Sequence, residues 1–324
     1  MIDQDGRRMV VTVTIQTYNR SNTLAETLES LRSLRCPEGV EYEILVVDNN
    51  SNDRTPQVIQ EYRRILAPRL RGVFEPRQGL SYARNRALME AKGQIVSYLD
   101  DDVKVDPEWL SAVAGAFEKH AAAVVGGKSY LIYPMPKPDW LAEEHEALLS
   151  RIDYGDEVIV GVQKDLCGLN FSVLRDAAIR AGGFDPTLGR TGRCLTCGEE
   201  SDLQEKIVRA GGVAVYEPRA IVGHIVAPER LTKRWFVRRV FYNAVSAQRA
   251  RLARRSEGES VARLLFRCIR CCGVLSVKSL IPSRARDRLL FTWQLDVILA
   301  AGRLLETIRH RLHRGGAPCA DLEK

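Results

Sequence analysis

Gln94-Ile95-Val96-Ser97-Tyr98-Leu99-Asp100-Asp101-Asp102 decides how this chain is read. An apolar run ends abruptly in three consecutive carboxylates. The run predicts a buried strand, and the triplet concentrates negative charge at its C-terminal end. Like charges this close repel, so the arrangement calls for a compensating cation. Carboxylate oxygens suit Mg²⁺ or Mn²⁺, ions that commonly also bridge a substrate phosphate. The competing reading is a solvated acidic turn before a helix that starts at Asp106-Pro107.

Outward from that stretch, strands and helices alternate. Val10 to Ile15 is a β-branched run and predicts a strand. A helix follows from Asn22, with Leu24, Leu28, Leu31 and Leu34 on one face. Tyr42 to Asp48 reads as a second strand, ended by Asn49-Asn50-Ser51-Asn52-Asp53. Thr55 to Leu66 reads as a helix, Gly72 to Glu75 as a short strand and Gly79 to Ala91 as a helix. This order predicts a parallel sheet covered on both faces. Ligands of such sheets bind beyond the carboxyl ends of the strands. The polar ends at Gln16-Thr17-Tyr18-Asn19, at Asp48 and at Asp100 should therefore meet along one edge.

After Trp109 the pattern loosens. Val124 to Lys128 reads as a strand, whereas residues 129–165, with Pro134, Pro136 and Pro138, read as a long mobile surface region. Leu169 to Leu174 predicts a strand and a helix follows through Ala181. Glu199 to Ala210 reads as a helix, and Val213 to Tyr216 and Ala220 to Ile225 as two strand pieces.

Of the 324 residues, 45% are hydrophobic and 27% charged, which places the chain among globular proteins rather than disordered or membrane-spanning ones. No apolar run reaches the roughly 18–20 residues of a membrane span. The first residues lack the apolar core of a signal peptide, so a cytoplasmic location is expected. Eight cysteines then read as reduced thiols. Cys194-x-x-Cys197 and Cys268-x-x-Cys271-Cys272 have zinc-like spacing, against which stands cysteine as a small hydrophobe on a helix face.

Charge divides the chain. Residues 228–324 hold 21 Lys and Arg against 8 Asp and Glu, while residues 1–227 hold 27 against 33. Residues 261–275 read as a basic amphipathic helix, and so do residues 286–305, with Leu289, Trp293, Val297 and Leu304 on one stripe. Such helices either pack on the body or lie peripherally on an anionic membrane surface. The basic region also admits a non-enzymatic reading as a nucleic-acid-binding protein, which would leave the acidic strand ends unexplained.

Five segments, in order, closely resemble family 2 glycosyltransferases. They are Ile15-Gln16-Thr17-Tyr18-Asn19-Arg20, Val46-Val47-Asp48-Asn49-Asn50-Ser51, Gly79-Leu80-Ser81-Tyr82-Ala83-Arg84-Asn85, Tyr98-Leu99-Asp100-Asp101-Asp102, and Gly198-Glu199-Glu200-Ser201-Asp202-Leu203. The resemblance covers about residues 9–226. It implies an α/β, Rossmann-like GT-A fold with a mostly parallel central sheet over residues 1–226, followed by a helical basic C-terminal region, 227–324.

The resemblance implies a nucleotide-diphospho-sugar donor, with a UDP-sugar expected, and a reaction that inverts the anomeric centre. Tyr18 would stack on the base, with Gln16 and Thr17 nearby, and Asp48 would accept a hydrogen bond from it. Arg84 resembles an arginine that contacts the diphosphate or the base. Asp100 lies near the ribose and Asp101 has no firm role. Asp102 would bind Mn²⁺ or Mg²⁺ in a DxD-type motif, with His224 as a further metal ligand or a structural histidine. Glu200 stands where the family's general base stands, although Glu replaces the commoner Asp and Asp202 remains the alternative. Glu199 and Asn170 fall on the acceptor side. The acceptor implied is a glycan or lipid-linked glycan in surface polysaccharide synthesis, with no nucleic acid partner. Lys233-Arg234-Trp235 lacks the Gln that precedes this motif in processive members, since position 231 is Leu.

Overall fold

Aliphatic and β-branched residues fill Met9–Thr17 (β1) and Val40–Asp48 (β2), which pair in parallel from Met9 opposite Val40 to Thr17 opposite Asp48. The computed structural model describes residues 8–191, 195, 197–253 and 283–313. Leu70–Phe74 (β3) pairs in parallel with β2, and Ile95–Asp100 (β4) with β1. Consecutive residues of β2 are buried on opposite sides of the sheet: Ile44 and Val46 with Leu24 and Leu28, Leu45 and Val47 with Ala83 and Ala87. A strand covered on both faces reads as a continuous apolar run, which is why these strands were visible in sequence.

The covering helices are Ser21–Ser30 (α1), Thr55–Ile65 (α2) and Leu80–Glu90 (α3). Leu24, Leu28, Leu31 and Leu34 are all buried, as their spacing predicts. Beyond β4 come Val103–Val105 (β5), Trp109–His120 (α4), Ala122–Ile132 (β6), Ile159–Val160 (β7), Asn170–Leu174 (β8), Arg175–Arg180 (α5), Glu199–Arg209 (α6) and Val213–Ile225 (β9). The sheet order is β3-β2-β1-β4-β8-β6-β9-β5, with β7 on β9. β8 enters antiparallel between β4 and β6, whereas β6 and β9 run parallel over a long ladder.

Two expectations change here. The pieces at Val213 and Ala220 are one strand, β9, carried past Pro218 by a register shift between Gly127 and Ser129 of β6. The stretch 129–165 is anchored rather than loose. β6 runs on to Ile132, Glu143–Leu149 forms a 3₁₀ helix, and Ser129 bridges Ile152. Leu141, Leu149 and Val162 are buried, so sparse apolar anchors hold a segment whose prolines erase any periodicity.

The chain divides into two compact units. One comprises residues 1–132, 150–186 and 199–225; the other comprises 133–149, 187–198 and 226–324. In the second, Lys233–Ala253 (α7) packs on Ser283–His313 (α8). Gln248 Nε2 donates to Thr307 Oγ1 at 3.0 Å, and Arg249 pairs with Glu306 at 3.0 Å. A Cβ at Gly302 would meet Ala244 Cβ at 2.9 Å, so the helices touch closely there. The buried stripe of α8 runs through Phe291, Leu295, Ala300 and Gly302, whereas Trp293, Val297 and Leu304 are only half-buried. The expected stripe was therefore displaced, because α7 selects the face it covers; the Leu289 side chain lies outside the described residues. The helix expected over 261–275 also lies outside them, as do Cys194, Cys268, Cys271 and Cys272. Among the described residues no helix is long and apolar enough to cross a membrane.

Asp53 ties the first two loops together. Its Oδ2 accepts the backbone N–H of Ser21 at 3.0 Å, and its Oδ1 accepts the backbone N–H of Thr55 at 2.9 Å. One carboxylate thus caps two helices. Burial pushes its pKa up, but these bonds and the Thr55 hydroxyl outweigh that and hold it at about 2, against an ordinary 3.8. Asp53→Ala should cost about 1–2 kcal/mol in chemical denaturation at pH 7. Because the folded pKa is the lower one, this contribution is complete above pH 3.8 and fades as pH falls towards 2. Wild type and variant should therefore converge in acid.

Candidate active site

The parallel register sets the polar strand ends side by side. Thr17 stands opposite Asp48, and Gln16 opposite Asp100. Beyond β1, Tyr18 is 43% exposed and Asn19 takes a left-handed conformation with φ of 52°. Asn19 Oδ1 accepts the Asn52 N–H at 2.8 Å, and the Asn19 N–H donates to Ser51 Oγ at 3.0 Å. Asp48 Oδ1 in turn accepts the Ser51 N–H at 3.0 Å. These bonds hold the β1 and β2 loops together and leave the Tyr18 ring in the open. Asn49 does the same for the loop into α3: its amide donates to the Glu75 and Arg77 carbonyls and accepts from the Gly79 N–H at 2.9 Å.

The acidic triplet divides its work. The Arg20 guanidinium bridges Asp101 Oδ1 at 3.1 Å and Asp102 Oδ2 at 2.5 Å. Burial pushes the Asp101 carboxyl up to about 6, in spite of Arg20. β5 pairs antiparallel with β9, with Val103 opposite His224, and this brings His224 Nε2 to 3.5 Å from Asp102 Oδ1. Both side chains are almost fully buried. Two ligands of one ion with bonds of about 2.1 Å stand about 3 Å apart, so this pair fits a divalent cation. Among the described residues no third His, Cys, Asp or Glu completes a shell. A partial protein shell suits Mg²⁺ or Mn²⁺, which keep water and phosphate oxygens as ligands.

Arg84 lies on α3 and is 1% exposed. Its Nη1 is 2.7 Å from Glu199 Oε1 and 2.8 Å from Glu200 Oε1, and its Nη2 is 3.7 Å from Asp100 Oδ1. The guanidinium lies over the Phe184 ring at 5.5 Å, and Tyr98 packs edge-on against that same ring. Gly168 closes the other side: a Cβ there would meet Glu200 Oε1 at 1.9 Å and Arg84 Nη2 at 2.3 Å. Burial pushes the Glu199 carboxyl up to about 7, helped by the Glu200 charge and opposed by Arg84. Burial also pushes Glu200 up, but the Arg84 charge and hydrogen bonds outweigh it, and Glu200 lies below the ordinary carboxylate range. The Glu199 side chain is 2% exposed and that of Glu200 is 16% exposed, so Glu200 is the acid with a face towards solvent.

Several sequence expectations need correction. The Arg84 guanidinium faces carboxylates of its own chain, Glu199 and Glu200 at 2.7 and 2.8 Å and Asp100 at 3.7 Å, rather than standing open for a diphosphate. Asn170 is not an acceptor contact: its amide donates to the Ala220 carbonyl at 2.8 Å and accepts the Trp109 indole N–H at 2.8 Å inside the core. Glu199 is buried against Arg84 instead of facing an acceptor. Gln16 is buried and donates to Thr14 of its own strand at 2.8 Å. Asp202 pairs with Lys206 one turn along α6 at 2.7 Å, apart from the Arg84 cluster. Arg20, Gly168 and Asn49 carry site geometry left without a role in the sequence, although Arg20 and Asn49 fall inside segments that carry the family resemblance.

A family model described as Glycosyl transferase family 2 matches residues 12–180, more than half of the chain. The chain belongs to glycosyltransferase family 2. This glycosyltransferase is 28% identical over 232 residues to the succinoglycan biosynthesis protein ExoM of Rhizobium meliloti strain 1021, covering 71% of this chain and 72% of that one. It is also 28% identical over 244 residues to the glucosyl-dolichyl phosphate glucuronosyltransferase of Haloferax volcanii, covering 74% and 76%. Among solved structures, the mannosyltransferase PcManGT of Pyrobaculum calidifontis, in complex with GDP-Man and Mn²⁺, superposes with a TM-score of 0.55 at 20% identity, covering 96% of this chain and 77% of that one. Staphylococcus aureus TarS 1–349 in complex with UDP gives 0.52 at 19% identity, covering 94% and 92%. The glycosyltransferase therefore has the GT-A fold, with a curled, mostly parallel sheet and helices at its C-terminal end.

Proposed function

We propose that this nucleotide-sugar glycosyltransferase is an inverting enzyme that moves a sugar from a UDP-sugar to a hydroxyl of a glycan or lipid-linked acceptor in cell-surface polysaccharide synthesis. One observation carries the reading: Glu200, kept anionic by Arg84, is the more exposed of the two glutamates on α6, and the same guanidinium reaches towards Asp100 at the end of β4, on the strand edge proposed to receive the donor. The exposed Tyr18 ring stacks on the base, and Asp48 accepts a base N–H. Asp100 accepts a ribose hydroxyl. Asp102 and His224 would hold Mn²⁺ or Mg²⁺, which when bound supplies Lewis-acid stabilisation of the departing diphosphate. Glu200 takes the acceptor hydroxyl proton as that oxygen bonds to the anomeric carbon. The bond from that carbon to the diphosphate oxygen breaks on the opposite face, and the nucleoside diphosphate leaves with the electron pair.

The relatives support the acceptor class, since one is named for succinoglycan biosynthesis and the other acts on a glucosyl-dolichyl phosphate. The excess of Lys and Arg after residue 227 favours peripheral contact with an anionic membrane face, where such acceptors reside. The non-enzymatic nucleic-acid reading leaves the strand-edge acids without a purpose.

A thermal-shift panel of UDP-, GDP- and dTDP-sugars with Mn²⁺ or Mg²⁺ tests the donor. A ligand at 100 times its Kd stabilises by about 2.7 kcal/mol, so the matching donor should stand out. UDP-sugars should raise Tm only with the metal, and Asp102→Ala should remove that metal-dependent part. A panel in which GDP-sugars alone shift Tm would reject the uridine assignment.

A further inference from the structure

We propose that Glu199 is a positioning residue for the base: it shares Arg84 Nη1 with Glu200 and carries the proton of the pair, so that Glu200 remains the anion. The inference rests on the reading of Glu200 as base. Its starting point is a charge imbalance. One guanidinium, shut in by Phe184 and Gly168, faces Glu199, Glu200 and Asp100. Glu199 and Glu200 both share Arg84 Nη1, while Asp100 lies farther off at 3.7 Å and half-exposed; one cation does not neutralise the close pair, so one of the two glutamates takes up a proton.

The geometry selects which one. Glu199 Oε1 accepts from Arg84 Nη1 at 2.7 Å, but its Oε2 is fully buried and has no hydrogen-bond partner among the described residues. A carboxylate oxygen left bare in that setting carries a desolvation penalty that a neutral carboxyl largely avoids. Glu200, by contrast, keeps an exposed edge where water or an acceptor hydroxyl reaches it. The direction of the two pKa shifts agrees: Glu199 is pushed up to about 7 by burial and the Glu200 charge, and Glu200 is held low. The remaining neighbours do not supply the charge. The Cys167 thiol is pushed up to about 11 by burial and the Glu200 charge, so it is neutral, and Asp202 is engaged by Lys206. During transfer the acceptor proton goes to Glu200, and it leaves to solvent along that residue's exposed edge after the products depart. The Glu199 proton stays where it is throughout.

The test compares wild type, Glu199→Gln and Glu199→Ala in steady-state transfer and in Tm measured from pH 5.5 to 8.5. Gln reproduces a neutral acid, so kcat should stay within about threefold of wild type. Ala removes the partner of the base, so kcat should fall about 10–100-fold with donor KM changed by less than about twofold. The folded pKa of Glu199 lies above the ordinary 4.5, so wild-type stability declines as pH rises towards and through about 7. Glu199→Gln should lack that decline. A Gln variant as inactive as Glu200→Gln would show that Glu199 acts as an anion and overturn the proposal. So would an Ala variant with wild-type kcat, or parallel Tm curves for wild type and Glu199→Gln. A Glu200→Gln variant that still transfers would overturn the underlying base assignment instead, a failure to which the Tm comparison is blind.

Discussion

Glu200→Gln is expected to lower the transfer rate about 10²–10⁴-fold, the usual worth of a positioned general base, while the donor still binds. Gln keeps the volume of the side chain and a carbonyl oxygen that accepts from Arg84 Nη1, so the clamp retains one hydrogen bond on that side. What it loses is the ability to take a proton. The residues proposed to bind the donor, Tyr18, Asp48 and Asp100, stand at or just beyond the strand ends, so UDP-sugar affinity by titration calorimetry should match wild type. The effect should fall on kcat and kcat/KM together, the mark of an interaction made in the transition state. Asp202→Asn is the control: its partner is Lys206, so kcat should stay near wild type. If Asp202→Asn is the dead variant and Glu200→Gln the active one, the base has been misassigned.

The parallel half of the fold was legible because its strands are buried on both faces and so read as β-branched or apolar runs, as in Val11 to Ile15, where Thr12 and Thr14 are β-branched and buried, and Ile44 to Val47. The strand-end acids were legible for the same reason: a carboxylate directly after such a run has to sit at the sheet edge. Non-local pairing was not legible. Nothing local to Asp102 announces His224: only the family resemblance suggested the two together, and it is the pairing of β5 with β9 that brings them close. Nothing local to Arg84 announces Glu199, 115 residues further along the chain, so its guanidinium was assigned to a phosphate instead of to carboxylates of its own chain. Asn170 misled in the opposite way. Its position suggested a sugar contact, yet a buried amide must satisfy its own hydrogen bonds, and Trp109 and Ala220 do so. The role of Gly168 depended on a clash with side chains from α3 and α6, which no sequence pattern encodes.

Arg84→Met is expected to be the most destabilising single change at the site, costing about 3–5 kcal/mol at neutral pH, because it leaves buried carboxylates without their cation. Met fills a similar volume and packs against Phe184, so the loss reflects charge more than cavity. The pH dependence separates the two. Without the guanidinium, burial and mutual repulsion raise both Glu199 and Glu200 above the ordinary 4.5. Groups raised in the folded state carry no penalty below their unfolded pKa, and the penalty grows as pH climbs past it. The gap between wild type and Arg84→Met should therefore be small near pH 4.5, widen steadily to pH 8, and be read by urea denaturation across that range. A packing defect would give a gap that does not change with pH. Transfer should be lost as well, since the anionic state of Glu200 depends on Arg84. An Arg84 that served the donor diphosphate would behave otherwise: the apoprotein would keep wild-type stability at every pH and only donor affinity would fall. That result would return the guanidinium to the phosphate and dissolve the carboxylate clamp on which the base assignment stands.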